Sequence, residues 1–218
     1  VGHRKHLGTW VTVGNVIPPL PHDAADLAEL YRHPVADGRT YVRANMISSL
    51  DGAATAAGRS GGLGGDGDRR LFQALRTQAD VVLVGAATVR AEGYGTPGHP
   101  ALAIVTRGTV DRTERLYPDG GAEPIVYSGA GSSVDLRDVL ADLYDRGLRR
   151  VLAEGGPGVL GALLRDGLVD ELCLTTAPMV VGGAGKRIVS GPDLPVDRWR
   201  RALVCGDSDG YLYTRWLR

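Results

Sequence analysis

Residues 152–164 read LAEGGPGVLGALL. An apolar run meets a carboxylate, then Gly155, Gly156, Pro157 and Gly158, and only then a second apolar run. The spacing predicts a strand over 149–153 and a helix over 159–164. The glycines therefore fall at the carboxyl end of a strand and the amino end of a helix, where ligands bind in open α/β sheets. Free backbone N–H groups and the positive helix end favour an anion there. Glycine lets that anion reach the backbone without a Cβ in the way. Taken alone, a tight connecting turn explains such a glycine pair equally well.

The arrangement recurs. Residues 79–89, ADVVLVGAATV, run an all-apolar strand into Gly85 and a helix start, with Thr88 placed to add a hydroxyl. Residues 101–108, ALAIVTRG, end a strand in Thr106 and Arg107. A hydroxyl beside a guanidinium suits an adenosine 2′-phosphate, since Arg matches phosphate geometry; a strand-end Arg is more often only solvated. Three such strand ends point to a phosphorylated dinucleotide. A GxGxxG with an acid some 20 residues on is absent, so the pattern is not a Rossmann fingerprint.

Working outward, short apolar strands alternate with amphipathic helices. That predicts an α/β fold, a mainly parallel sheet covered on both faces. ALAIVTRG and EPIVYSG both read as buried strands. Helices are expected after Asp23 as N-cap, from Asp68 onward, over 86–92, and over 134–147 with Gly147 as the stop. The chain closes with two strands joined by Asp207-Ser208-Asp209-Gly210, a hairpin signal. Leu203, Val204, Leu212 and Trp216 on that hairpin suit a homodimer seam. Residues 1–40, with VIPPLPHD, read as an extension packed on a main domain of 41–218.

Composition excludes other classes. Lys plus Arg equal Asp plus Glu at 25 each, so no global field recruits nucleic acid or an anionic membrane. Cys173 and Cys205 and the five histidines form no ligand-spaced array, and no metal site is expected. The HxE…PCxxC signature of zinc deaminases is missing. Neither an 18-residue apolar run nor a signal-peptide core is present, and a cytoplasmic protein is expected.

Glu154 ends an apolar strand. A half-buried carboxylate beside a cofactor has its pKa raised, and it can orient or protonate a substrate. Asp51 in SLDG reads first as a turn residue and Glu92 in VRAEGYG as a helix-end residue. Asn45, a polar residue inside a strand, is a substrate-facing candidate.

Together NMISSLDGAAT, ADVVLVGAATVRAE and LAEGGPGVLGALLRDGLVDELCLTTAPMVVGG resemble the riboflavin-biosynthesis pyrimidine reductases, the reductase half of the bifunctional deaminase-reductase. The resemblance runs from about Tyr41 to the end. It implies the dihydrofolate-reductase-like three-layer sandwich and NADPH as cofactor. It also implies hydride transfer to the first ribose carbon of a ribosylaminopyrimidine phosphate. That substrate is either 5-amino-6-(5-phosphoribosylamino)uracil or its diaminopyrimidine precursor. Asp51 and Glu154 are the implied catalytic carboxylates, with Asn45, Ser49 and Glu92 at the substrate. The implied cofactor set is Thr55, Ser60, Gly64, Val84, Gly85, Thr88, Thr106, Arg107, Gly155, Gly156, Gly158, Val159 and Leu160. The Gly155–Gly156 peptide is expected to be cis, as in dihydrofolate reductases.

The sequence departs from the family in two places. Bacterial fused members carry a Lys where Asn45 stands. Their acidic-proline run with its Arg is replaced by EGYGTPGH, with Glu92 at its first acid and His99 near the Arg position. Both cations help bind a ribose phosphate. Two further readings therefore stand beside the first: a relative that reduces dihydrofolate or another pteridine-like heterocycle, and an NADPH-binding protein without turnover.

Overall fold

The computed structural model describes residues 17–34, 36–94, 99–108, 122–129 and 133–218. His3, His6, the start of the extension and the middle of the 92–99 run lie outside the described residues. Eight strands form one sheet in the order β4-β3-β2-β5-β1-β6-β8-β7. They are β1 Tyr41–Ser48, β2 Val81–Gly85, β3 Ala101–Thr106, β4 Ile125–Ser128, β5 Arg150–Ala153, β6 Glu171–Thr176, β7 Arg200–Gly206 and β8 Leu212–Leu217. Strands β1 to β6 pair in parallel, and β8 and β7 add antiparallel strands at one end. The carboxyl ends of β3, β2, β5, β1 and β6 consequently share one edge, the edge where the sequence places its glycine turns.

Two apolar layers sandwich the sheet. On one face α2 (Asp66–Gln78) and α3 (Ala86–Glu92) bury Leu71, Leu75 and Val89 against Val82, Val84 and Leu152. On the other, α4 (Leu136–Asp145) and α5 (Pro157–Arg165) bury Leu140, Leu143, Leu160 and Leu163 against Val81, Leu83 and Val151. Alternate residues of one strand thus feed opposite cores, which is why β2 is apolar throughout and buried at every position. Helix α5 begins two residues earlier than its apolar pattern suggests, because Pro157 occupies the first turn, where its missing N–H costs nothing. β4 is not the buried strand expected: it is the sheet edge, and Val126 is 38% exposed.

The described part of the segment before β1 packs against the sheet. Helix α1 (Ala24–Leu30) is capped by Asp23, whose Oδ1 accepts from Ala25 N at 2.8 Å, and Leu20, Leu27 and Tyr31 are buried. Pro18–Leu20 bonds to Gly206 at the end of β7. Beneath this segment Arg43 of β1 and Glu171 of β6 form an ion pair with both side chains fully buried, Nε to Oε1 at 2.7 Å. Arg215 of β8 joins the same carboxylate at 2.7 Å. Arg43 also donates to the Tyr31 and Arg32 carbonyls. Glu171 is thus the hub of β1, β6 and β8, more than the plain strand-starting residue its sequence position suggests. Leu203, Val204, Leu212 and Trp216 are half-buried within the chain itself, and β7 is the outer strand. No helix among the described residues is long and apolar enough to cross a membrane.

Candidate functional site

A cavity of about 430 Å³ opens where the β1 strand end meets α2, α3 and the glycine-rich loop. Its walls are Asn45, Met46 and Ile47 of β1, Asp68, Arg69, Phe72 and Arg76 of α2, Ser60, Gly61 and Gly64 of the loop, and Thr88, Glu92, Tyr94 and Glu154. Six residues expected at the site from the sequence therefore converge: Asn45, Ser60, Gly64, Thr88, Glu92 and Glu154.

Glu154 is fixed more firmly than its sequence suggested. Arg76 donates Nε to Oε1 at 2.7 Å and Nη2 to Oε2 at 2.6 Å. The Tyr94 hydroxyl adds a third bond to Oε2 at 2.8 Å. The Glu154 side chain is 1% exposed and that of Arg76 26%. The bidentate guanidinium and the phenol together fill three of the carboxylate's acceptor positions. Burial and the adjacent carboxylate push the Tyr94 hydroxyl well up, so it remains a donor. The Arg76 guanidinium stacks on Phe72, 4.3 Å from the ring centre, and lies 5.2 Å from that of Tyr94. Glu154 thus holds a cation and a phenol in place on the cavity wall.

Asp51 stands elsewhere. It does not line the cavity. Its carboxylate accepts from the Ser49 hydroxyl and from the backbone N–H groups of Val181 (3.2 Å) and Gly182 (2.6 Å). Those bonds, the serine first, lower its pKa to about 2. A group so held carries no proton near neutrality, and its contacts are those of an anchor tying the SLDG turn to the loop after β6. Ser49 completes the same turn, its Oγ accepting from Ala53 N at 2.9 Å. Glu92 lines the cavity but faces the loop: its Oε1 accepts from the Ser60 N–H at 2.8 Å and the Ser60 hydroxyl at 2.9 Å. It pins the 3₁₀ turn Ser60–Gly62 against the end of α3.

The glycine turns lie side by side. Gly85 N donates to Gly155 O at 3.0 Å across β2 and β5. The Gly155–Gly156 peptide is cis, and Gly155 has φ +100°, a left-handed conformation that only glycine adopts freely. A Cβ on Gly156 would sit 2.6 Å from Thr88 Oγ1, and one on Gly85 3.1 Å from Val159 Cγ2. The two strand ends therefore pack backbone against backbone beside the Thr88 hydroxyl, with Gly85 and Gly155 buried, Gly156 half-buried and Gly158 at the exposed first turn of α5. Thr106 and Arg107 end β3 next along the same edge, and Arg107 is exposed. Thr55 lies in the glycine-rich loop outside the cavity lining. Val84 and Leu160 are buried in the two cores, so only their backbones are near this surface.

Sequence reasoning missed Asp68, Arg69, Phe72, Arg76 and Tyr94. A signal existed: Asp68, Phe72 and Arg76 follow at steps of four and share one helical face. That face reads as the solvated side of an amphipathic helix, because nothing local shows that a sheet end curls over it.

Three glycine turns on one sheet edge beside a cavity define an α/β protein of the dihydrofolate-reductase-like fold. The dihydrofolate reductase of Enterococcus faecalis complexed with NADP(H) shares the fold at a TM-score of 0.59 and 14% identity, over 82% of this chain and 96% of that one. The chain belongs to the RibD C-terminal domain family, whose model matches residues 40–213. It is 29% identical over 203 residues to the riboflavin biosynthesis protein RibD of Bacillus amyloliquefaciens, covering 79% of this chain and 55% of that protein. It thus spans about half the length of that curated relative. It is equally 29% identical over 179 residues to the 2,5-diamino-6-ribosylamino-4(3H)-pyrimidinone 5′-phosphate reductase of Methanothermobacter thermautotrophicus, over 68% of this chain and 82% of that one. A pyrimidine reductase-like protein from Corynebacterium diphtheriae superposes with a TM-score of 0.71 at 25% identity, over 82% of this chain and 91% of that one.

Proposed function

We propose that the chain is an NADPH-dependent reductase of a ribosylaminopyrimidine phosphate in riboflavin biosynthesis. The observation that carries this reading is that the glycine turns at Gly85, Gly155 and Gly156 adjoin the cavity: Thr88, which lines it, packs on Gly156, and Glu154, which also lines it, directly precedes Gly155. The half-buried Gly156 and the exposed Gly158 at the amino end of α5 fit a pyrophosphate, because the backbone there is open to an anion. Thr88, Gly156 and Gly158 would hold the pyrophosphate, with Gly85 and Gly155 packed beneath them, Thr106 and Arg107 would take the adenosine end, and Ser60 and Gly64 would line the loop beside it. The cofactor, when bound, would supply the hydride added to the first ribose carbon; the bond from that carbon to the ring oxygen breaks, and the released oxygen takes a proton from solvent water.

The remaining groups bind and orient. Glu154 keeps Arg76 and Tyr94 in fixed positions on the cavity wall, so it positions the site rather than donating a proton. The cations missing from the family pattern have a substitute in Arg69, which lines the cavity and is exposed at its mouth, where a ribose phosphate would lie. Asp51 supports the loop beside the site. A homodimer across the β7 edge accompanies this reading, and light scattering checks it.

The test is NADPH oxidation followed by absorbance, with the ribosylaminopyrimidine phosphates and dihydrofolate as parallel acceptors. Turnover of a pyrimidine phosphate supports the reading. Turnover of dihydrofolate alone transfers the fold to another substrate.

A further inference from the structure

The loop after β6 runs as a strap from the rim of the cavity to the helix that follows the glycine pair. Leu50 N donates to Met179 O at 2.8 Å and Ala54 N to Lys186 O at 2.7 Å, so the strap first follows the turn after β1. Ala54 itself lines the cavity. Further on, Ser190 N donates to Pro157 O at 3.0 Å, on the first turn of α5. Residues 186–190 therefore span the gap from cavity to helix, at most about 14 Å of chain. Val189 packs into the core beneath, and a Cβ on Gly161 would lie 2.3 Å from Ser190 O. Gly161 is thus the seat that lets the strap lie directly on α5.

Gly158 has no such reason to be glycine. Its φ is not left-handed, and a Cβ there would meet only Ser190 Oγ, at 3.9 Å, an ordinary contact. Neither backbone nor packing within the protein demands glycine at this exposed helical position, where alanine is the far better helix former. The Gly158 N–H lies in the first turn and has no acceptor within the helix. Ser190 is exposed, and its hydroxyl has no partner among the described residues. A bare position, a free N–H and a free hydroxyl thus adjoin one another, and all three suit an oxyanion that comes close to the backbone.

We propose that the Ser190 hydroxyl is a ligand of the cofactor pyrophosphate: the strap 186–190 forms the outer rim of that site, and Gly158 is kept bare so that a phosphate oxygen can reach its N–H beside the hydroxyl. This rests on the reading of the α5 glycine turn as a dinucleotide site. The hydroxyl donates to a charged oxygen, the stronger kind of hydrogen bond. Because the pyrophosphate is common to NADPH and NADH, Ser190 serves both alike and takes no part in telling them apart.

The test is fluorescence titration of the full chain with NADPH and with NADH, beside thermal unfolding. Ser190→Ala weakens both cofactors by the same factor, about tenfold, at an unchanged melting temperature. Ser190→Thr, which keeps the hydroxyl, stays within about threefold of the wild type. Gly158→Ala holds or raises the melting temperature, as a better helix former should, yet weakens both cofactors at least about tenfold. Wild-type affinity in Ser190→Ala or in Gly158→Ala overturns the proposal. So does a loss confined to NADPH, which would put Ser190 at the 2′-phosphate, or a loss of affinity that follows a fall in melting temperature. Cofactor binding that depends on Ser190, without reduction of any pyrimidine phosphate, keeps the proposal and removes the reductase reading. Reduction of a pyrimidine phosphate by a Ser190→Ala protein of unaltered NADPH affinity does the reverse. Failure of the wild-type protein to bind either cofactor removes both.

Discussion

Glu154 at the end of β5 and Arg76 in the last turn of α2 are joined by two parallel bonds of 2.7 and 2.6 Å. The pair ties the sheet edge to the helix that walls the cavity. Because the carboxylate is 1% exposed, removing one partner strands a buried charge. Arg76→Ala is expected to destabilise by about 3–5 kcal/mol in urea unfolding. Glu154→Gln, which keeps the shape and some hydrogen bonding, should cost less while lowering kcat at least about tenfold through misplaced Arg76 and Tyr94. Its NADPH affinity should stay within about twofold; a large loss of NADPH affinity would give Glu154 a different task.

Gly156 and Thr88 form a second coupled pair. A methyl group at position 156 would lie 2.6 Å from Thr88 Oγ1. Gly156→Ala should weaken NADPH binding by at least about tenfold and destabilise by about 1–3 kcal/mol. Thr88→Ala removes the obstructing oxygen, so the double variant should recover part of that stability. Fluorescence titration and unfolding of the two single variants and the double variant measure the coupling.

Asp51 sets a pH window. Its folded pKa of about 2 lies below its ordinary value of 3.8. Its anchoring is therefore complete above the ordinary value and is lost as pH falls through about 2. Asp51→Asn should flatten that part of the acid-unfolding curve. Activity at neutral pH should change by less than about fivefold, because Asp51 holds a loop and no transferable proton. A collapse of kcat with normal folding would instead place it in the chemistry.

Much of this was legible in the sequence, and the limits have physical causes. The alternation of apolar strands and amphipathic helices foretold the layers, because burial on both sheet faces leaves no polar positions. The glycine turns were legible because few residues tolerate close backbone approach. β4 was misread as buried because an edge strand with Ile125 and Val126 has the same local composition as an inner one. The cavity wall formed by Asp68, Phe72 and Arg76 was missed because a helix face directed at a ligand is as polar as one directed at water. Asp51 and Glu154 were visible as conspicuous carboxylates, but only the partners, Val181 and Gly182 for one and Arg76 for the other, distinguish an anchor from a site residue. Those partners lie 130, 131 and 78 positions away.

The most direct test of the central claim is isotope transfer. The protein is incubated with NADPH carrying deuterium at both C4 positions of the nicotinamide and with the diaminopyrimidinone ribosylamino phosphate, and the product is examined by NMR. The account predicts one deuterium on the first carbon of a ribityl chain. A product with no deuterium at that carbon, or unreacted substrate under conditions where NADPH is bound, would contradict it.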